Sequence, residues 1–198
     1  MTAPASLTPE QALTSLAEGN QRYRAGALRH PRRGAARRAE VLPRQAPLAV
    51  VVGCSDSRVP PEIVFDLGIG DLFVVRTAGH VLDDAALASV EYALEHLGCR
   101  LVLVLGHARC GAIAAALSAS AHPGHIQALV ASLLGETGSD GQPFGGPAER
   151  AERSHVAYTV RRLRALAPVL APLVASGAVE VRGAYYHLES GQVELLDL

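Results

Sequence analysis

Two unbroken apolar runs constrain the fold of this chain most. Ala49-Val50-Val51-Val52 leads into Gly53-Cys54-Ser55-Asp56-Ser57-Arg58-Val59-Pro60, and Leu101-Val102-Leu103-Val104-Leu105 leads into Gly106-His107-Ala108-Arg109-Cys110-Gly111. A β-branched or leucine run without polar alternation, closed by glycine, is the pattern of a strand buried on both faces, and so of a parallel sheet. The polar residues that follow then sit at the carboxyl ends of strands, where open α/β sheets place their sites. Two cysteines and one histidine delivered there form a soft three-ligand set that suits zinc and leaves one position open.

The other segments fit the same plan. Thr8-Pro9-Glu10-Gln11 carries a capping hydroxyl, a first-turn proline and a glutamine three residues after the threonine, so a helix starts there and ends near Gly26. Its stripe, Leu13, Leu16 and Tyr23, must be covered by its own domain or by a second subunit. Residues 26–46 read as mostly irregular, with the basic stretch Arg29 to Arg38 a solvated loop or short helix, or less simply an anion contact. Pro47 opens the first strand. Pro60-Pro61-Glu62 starts a short helix to about Asp66, and a strand follows over Asp71 to Arg76. Asp83-Asp84 begin a helix bearing Leu87, Val90, Tyr92, Leu94 and Leu97, with acids suited to its dipole and Gly98 as its stop. Residues 111–119 read as helix and 135–146 as loop. The stretch from Pro147 to about Ser176 reads as mostly helical, with bends at Pro168 and Pro172. Val179 to His187 and Val193 to Leu196 read as strands joined through Glu189-Ser190-Gly191. The alternation predicts an α/β fold: a mainly parallel central sheet flanked by helices, with an N-terminal helical arm.

At 198 residues, 49% hydrophobic, the chain is expected to form one domain over 1–198, with 1–46 as arm and linker and 47–198 as the α/β core. A net charge of −1 argues against nucleic acid as a partner. No apolar stretch reaches the roughly 18 residues of a membrane span. No charged start followed by an apolar core suggests a signal peptide. Three cysteines, an odd number, form no secreted disulfide framework, so a reduced, cytoplasmic setting is expected.

Single residues here carry competing readings. Cys99, beside Gly98 at a helix end, reads as a small buried hydrophobe. Cys54 and Cys110 taken alone also admit core or redox readings, and His-x-x-Cys alone is a weak signal. Two such stretches, each closing a buried strand, are much stronger. Asp56 and Arg58 straddle Ser57 and can lie on one side of an extended segment. They read as a loop-bracing ion pair, or as a carboxylate held ionised by arginine so that it can orient a metal-bound water.

Cys54-Ser-Asp-Ser-Arg-Val-Pro60, the later Gly106-His-x-x-Cys-Gly111 and the spacing between them resemble the β-class carbonic anhydrases. The resemblance covers most of the chain and weakens after about residue 120. It implies one zinc per subunit on Cys54, His107 and Cys110, and Asp56 with Arg58 as a catalytic dyad. It implies a homodimer, or a dimer of dimers such as a homotetramer, with the carbon dioxide pocket at the subunit interface. Gln45, Phe73 and Tyr92 match that pocket, each with a simple packing reading beside it, and Gly111 would offer its N–H to bicarbonate. Some members carry a second, inhibitory bicarbonate site. Here it is incomplete, since Val51 stands at its Trp position and the chain has no Trp, although Arg76 matches its Arg. Ala78-Gly79-His80 replaces the family's usual Ala-Asn. His80 reads as an exposed or capping histidine, with a proton relay as the alternative.

The activity implied is reversible hydration of carbon dioxide to bicarbonate and a proton, by hydroxide formed when zinc lowers the pKa of its water to about 7. Two alternatives stand beside it: a carbonyl sulfide or carbon disulfide hydrolase on the same fold, and a non-catalytic zinc- or anion-binding module. Asp56 is the single candidate for a fourth fixed ligand, and release by Arg58 would let it close the site.

Overall fold

The structure, a computed structural model, describes residues 7–118, 120–135 and 147–198. In chain order the helices are α1 (Pro9–Arg24), α2 (Ala35–Val41), α3 (Pro61–Val64), α4 (Asp84–Glu95), α5 (Gly111–Leu117), α6 (His125–Leu134), α7 (Ala148–Arg164) and α8 (Leu170–Ala175). The strands are β1 (Ala49–Cys54), β2 (Leu72–Thr77), β3 (Leu101–His107), β4 (Glu180–Tyr186) and β5 (Val193–Leu196), and a 3-10 turn spans Ala78–His80. The sheet order is β2-β1-β3-β4-β5, parallel except for the antiparallel β5.

The two apolar runs are the central strands, and both are buried along their whole length. Alternate side chains enter opposite cores, which is why the runs show no polar alternation. Val50, Val52, Val102 and Val104 face α4 and α7 through Val90, Leu94, Val156 and Val160. Ala49, Val51, Leu101, Leu103 and Leu105 face Ala12 and Leu16 of α1 and Val64 and Phe65 at α3. A third cluster, Ile113, Ala116, Val130, Leu133 and Ala151, packs against Cys54 and Cys110.

The arm covers its stripe on its own chain. Thr8 and Gln11 form the expected capping box at its start. Asn20, buried in α1, donates from Nδ2 to the carbonyls of Val64 at 3.2 Å and Gly191 at 2.8 Å, and its Oδ1 accepts from Val193 N–H at 2.9 Å. One small residue permits this docking: a Cβ at Gly19 would lie 1.8 Å from the Phe65 carbonyl oxygen.

The basic stretch is largely consumed internally. Arg22 pairs with fully buried Asp66, whose carboxylate also accepts from the N–H groups of Arg29 and His30 at 3.0 Å. Burial alone would raise the pKa of Asp66; these three donors outweigh it and hold the group below its ordinary value. Arg32 and Arg37 both reach Asp71, at 2.7 and 3.3 Å.

Residues 26–46 are mostly irregular, as expected, and the one short helix within them, α2, is held by Arg37 through the Ile69 carbonyl and Asp71. The helix α6 has no counterpart in the sequence reading, although Ile126, Leu129, Val130, Leu133 and Leu134 recur at helical spacing; of these Val130 and Leu133 are buried. Pro168 lies in the break between α7 and α8, but Pro172 sits in the first turn of α8, where a missing N–H costs no helical bond, so no bend occurs there. The predicted loop at 135–146 falls, beyond Gly135, outside the described residues.

Gly19→Ala is expected to force α1 off Phe65. Thermal unfolding should show a loss of about 1–3 kcal/mol, and limited proteolysis should cut faster within residues 9–24; unchanged protection would disprove the close approach.

Candidate metal centre

β1 and β3 pair in parallel with Gly53 opposite Leu105, so both strands end at the same edge. Cys54 closes β1 and His107 closes β3. The chain turns through Arg109, at φ 54°, and places Cys110 at the cap of α5. One ligand atom from each of Cys54, His107 and Cys110 lies within 4.8 Å of the others, and all three side chains are buried. The two sulfurs are 4.0 Å apart and both cysteines are free thiols.

The donor set is orientated as a metal requires. His107 Nδ1 donates to the Ala108 carbonyl at 2.9 Å, which fixes the tautomer and leaves the Nε2 lone pair free. Nε2 is buried and has no hydrogen-bond partner among the described residues. The two thiols are hydrogen-bonded to each other. The hydrogen bond from Cys110 draws the pKa of Cys54 down against the opposing effect of burial, and the same bond pushes that of Cys110 up. A bound dication would stabilise both thiolates at once. Soft sulfur, an unpartnered imidazole nitrogen and burial together fit zinc.

Asp56 and Arg58 form a bidentate pair at the mouth of the cluster. Arg58 Nε reaches Asp56 Oδ1 at 2.9 Å and a terminal guanidinium nitrogen reaches Oδ2 at 2.7 Å, while Arg58 N–H also donates to Oδ1 at 2.9 Å. Arg58 further donates to the Arg109 carbonyl at 3.1 Å, linking the two motif loops. Arg58 therefore holds the Asp56 carboxyl down at about 2. Its Oδ2 lies 3.9 Å from His107 Nε2.

Further residues hold this edge. Arg76 donates to the carbonyls of Cys54 at 2.8 Å and Asp56 at 2.6 Å, so it braces the first motif loop. Gly79 N–H donates to Cys54 Sγ at 3.2 Å. Buried Glu152 of α7 accepts from Cys110 N–H at 3.0 Å and from the Tyr185 hydroxyl at 2.5 Å. Sequence reasoning missed Glu152, because it sits in the charged run Ala148-Glu-Arg-Ala-Glu-Arg153, which reads as a solvated face.

Two expectations change. His80 is neither exposed nor capping: it is 3% exposed, its ring stacks on that of His155 at 4.1 Å, and neither ring nitrogen has a hydrogen-bond partner among the described residues. Burial above all, then the neighbouring imidazoles, holds it neutral. The predicted pocket residues are not drawn to the cluster within this chain. Gln45 is exposed, and Phe73 and Tyr92 face each other at 6.4 Å on β2 and α4, with Tyr92 48% exposed. Gly111, also exposed, begins α5 directly after Cys110. Cys99 is, as expected, a buried hydrophobe.

Comparison with known proteins agrees with this geometry. A family profile described as carbonic anhydrase matches residues 49–193. The carbonic anhydrase of Mycolicibacterium smegmatis is 42% identical over 191 residues, covering 94% of this chain and 93% of that protein. Carbonic anhydrase 2 of Mycobacterium tuberculosis is 41% identical over 193 residues, with 96% and 93% covered. A tetrameric β-carbonic anhydrase of Sordaria macrospora superposes with a TM-score of 0.69 at 26% identity, over 81% of this chain and 85% of that one. The Coccomyxa β-carbonic anhydrase, solved with acetazolamide, gives 0.68 at 26% identity, over 80% and 75%. The chain belongs to the carbonic anhydrase family, in its β-class. It is an enzyme of a metal-dependent family whose activity is the hydration of carbon dioxide.

The Asp56–Arg58 pair should add to stability above the ordinary carboxylate pKa near ~4 and lose that contribution as pH falls through about 2. Carbon-detected NMR should show Asp56 titrating near that lower value, and Arg58→Ala should move it back towards ~4.

Proposed function

We propose that this chain hydrates carbon dioxide reversibly with one zinc ion held by Cys54, His107 and Cys110. The single observation that carries the reading is the buried cluster of two free thiols and an unpartnered imidazole nitrogen, beside a carboxylate committed to an arginine. When bound, zinc supplies a water acidic enough, at a pKa of about 7, to act as nucleophile at neutral pH. The protein's part is orientation. Asp56, kept ionised by Arg58, acts as a pure acceptor and fixes the direction in which that water presents its lone pair. Arg76 holds the loop that carries Asp56. The exposed N–H of Gly111 is assigned to bicarbonate.

Gln45, Phe73 and Tyr92 are proposed to line the carbon dioxide pocket once a second subunit completes it. The exposed ring of Tyr92 beside Phe73, on the edge strand β2, supports burial by a partner. The assembly is read as a homodimer or a dimer of dimers, and the setting as cytoplasmic; among the described residues no helix is long and apolar enough to cross a membrane. The dyad speaks against a structural zinc module, since Asp56 is turned to Arg58 rather than into the ligand cluster.

Metal analysis should find one zinc per chain, and Cys54→Ala or Cys110→Ala should bind none; stoichiometric zinc in either would remove the ligand assignment. Stopped-flow hydration by Asp56→Asn should fall about 100-fold or more with zinc retained. Faster turnover of carbonyl sulfide or carbon disulfide than of carbon dioxide would favour the sulfur hydrolase. An active monomer on dilution would contradict a shared pocket.

A further inference from the structure

The buried histidine pair, His80 and His155, lies directly behind the candidate metal centre and contributes none of its three ligands. His155 projects from α7, on the face turned to the sheet, and is 1% exposed. Its Nε2 reaches the Gly79 carbonyl at 2.6 Å. A carbonyl can only accept, so the ring nitrogen carries the proton and donates. His80 stacks on the His155 ring at 4.1 Å, with an interplanar angle of 27°. The turn these rings grip is unusual: Gly79 and His80 both have left-handed backbone, at φ 62° and φ 46°. A non-glycine residue in that region persists where its surroundings over-determine it. Ala112 and Leu133 close the turn from the other side, so that a Cβ at Gly79 would approach the Ala112 Cβ to 3.0 Å. Thr77 Oγ1 pins its exit by donating to the Val81 carbonyl at 2.6 Å. The result of all this fixing is one aimed group, the Gly79 N–H, 3.2 Å from Cys54 Sγ.

We propose that His155, backed by the stacked ring of His80, is a positioning residue for the metal centre: it anchors the Ala78–His80 turn so that the Gly79 N–H stays bonded to the Cys54 sulfur. An N–H donor withdraws electron density from a thiolate. It lowers the basicity of the ligand, so that protons compete less for it, and it lowers the energy of the sulfur lone pair. Hydrogen bonds of this kind around a metal ligand change affinity about ten- to a hundredfold. His80 has no polar partner among the described residues and is held neutral by burial, so its contribution is the shape and contact of its ring.

The inference rests on the zinc reading and is tested on the purified full chain loaded with zinc or cobalt(II). His155→Phe keeps an aromatic ring for His80 but deletes the donor; His155→Gln restores an N–H of similar reach. Folding is checked by circular dichroism. The expected result for His155→Phe is a zinc affinity ten- to a hundredfold lower in competition with a chromophoric chelator. Its thiolate-to-cobalt charge-transfer band should move to longer wavelength, and His155→Gln should bring both values back towards the parent protein. A folded His155→Phe with an unmoved band overturns the proposal, even where its affinity falls, because general loosening would lower affinity alone. Failure of His155→Gln to restore the band also overturns it. Should His155→Phe not fold, the parent protein loaded with cadmium-113 still decides. Scalar coupling from cadmium to the Gly79 amide proton supports the aimed bond, and its absence overturns it. A parent chain that binds no zinc at all sinks the functional reading instead, which keeps the two failures distinct.

Discussion

The register between β1 and β3 is the constraint on which the site depends. Val52 lies opposite Val104 and Gly53 opposite Leu105, so Cys54 and His107 leave the sheet side by side. A slip of one residue would turn every side chain of a strand to the other face. Here both faces of both strands are buried, and their residues differ: valines alone against α4 and α7, and Ala49, Val51, Leu101, Leu103 and Leu105 against α1 and α3. A slipped strand would therefore mispack both cores at once. The cluster inherits its rigidity from the least yielding part of the molecule, and the loops need only complete it.

Around that frame the charged groups of the site are engaged by fixed partners. Asp56 is fully engaged by Arg58 and its own loop, which keeps a third anion out of a cluster that already holds two sulfurs. Arg76 spends its guanidinium on two backbone carbonyls of the same loop. Glu152 is buried with no cation beside it among the described residues, yet both of its oxygens accept a hydrogen bond, one of them from Cys110 N–H. A buried carboxylate is tolerable when donors replace its lost water. The imidazoles divide the work: His107 presents a free nitrogen to the cluster, while His155 and His80 lie behind it as a packed floor.

Much of this is legible in the amino-acid sequence. The capping box at Thr8, the two central strands, the stop at Gly98 and the last two strands are local signals, and local signals survive folding. The three cluster residues and the Asp56–Arg58 pair were legible because a motif at the end of a buried strand has few places to go. Residues that act through burial were not. Glu152 reads as one charge among several in an exposed stripe, and only the lie of α7 across the sheet turns it inward. His80 misleads for the same reason, since a histidine after Ala-Gly looks like a cap until a second ring from α7 covers it. The short helix α2 lacks the apolar period that would announce it, whereas α6 carries one from Ile126 to Leu134.

The amino-acid order by itself determined that a parallel sheet would form and that Cys54, Asp56, Arg58, His107 and Cys110 would stand at its edge, because strand burial and turn chemistry are properties of short segments. What tertiary structure alone decided is how those groups are held. The choice of α1 to dock on its own chain, the turning of Glu152 and His155 towards the site, and the aim of Gly79 at Cys54 all depend on contacts between residues far apart in the chain. Such contacts are set by how whole elements pack, and no stretch of sequence carries that information alone.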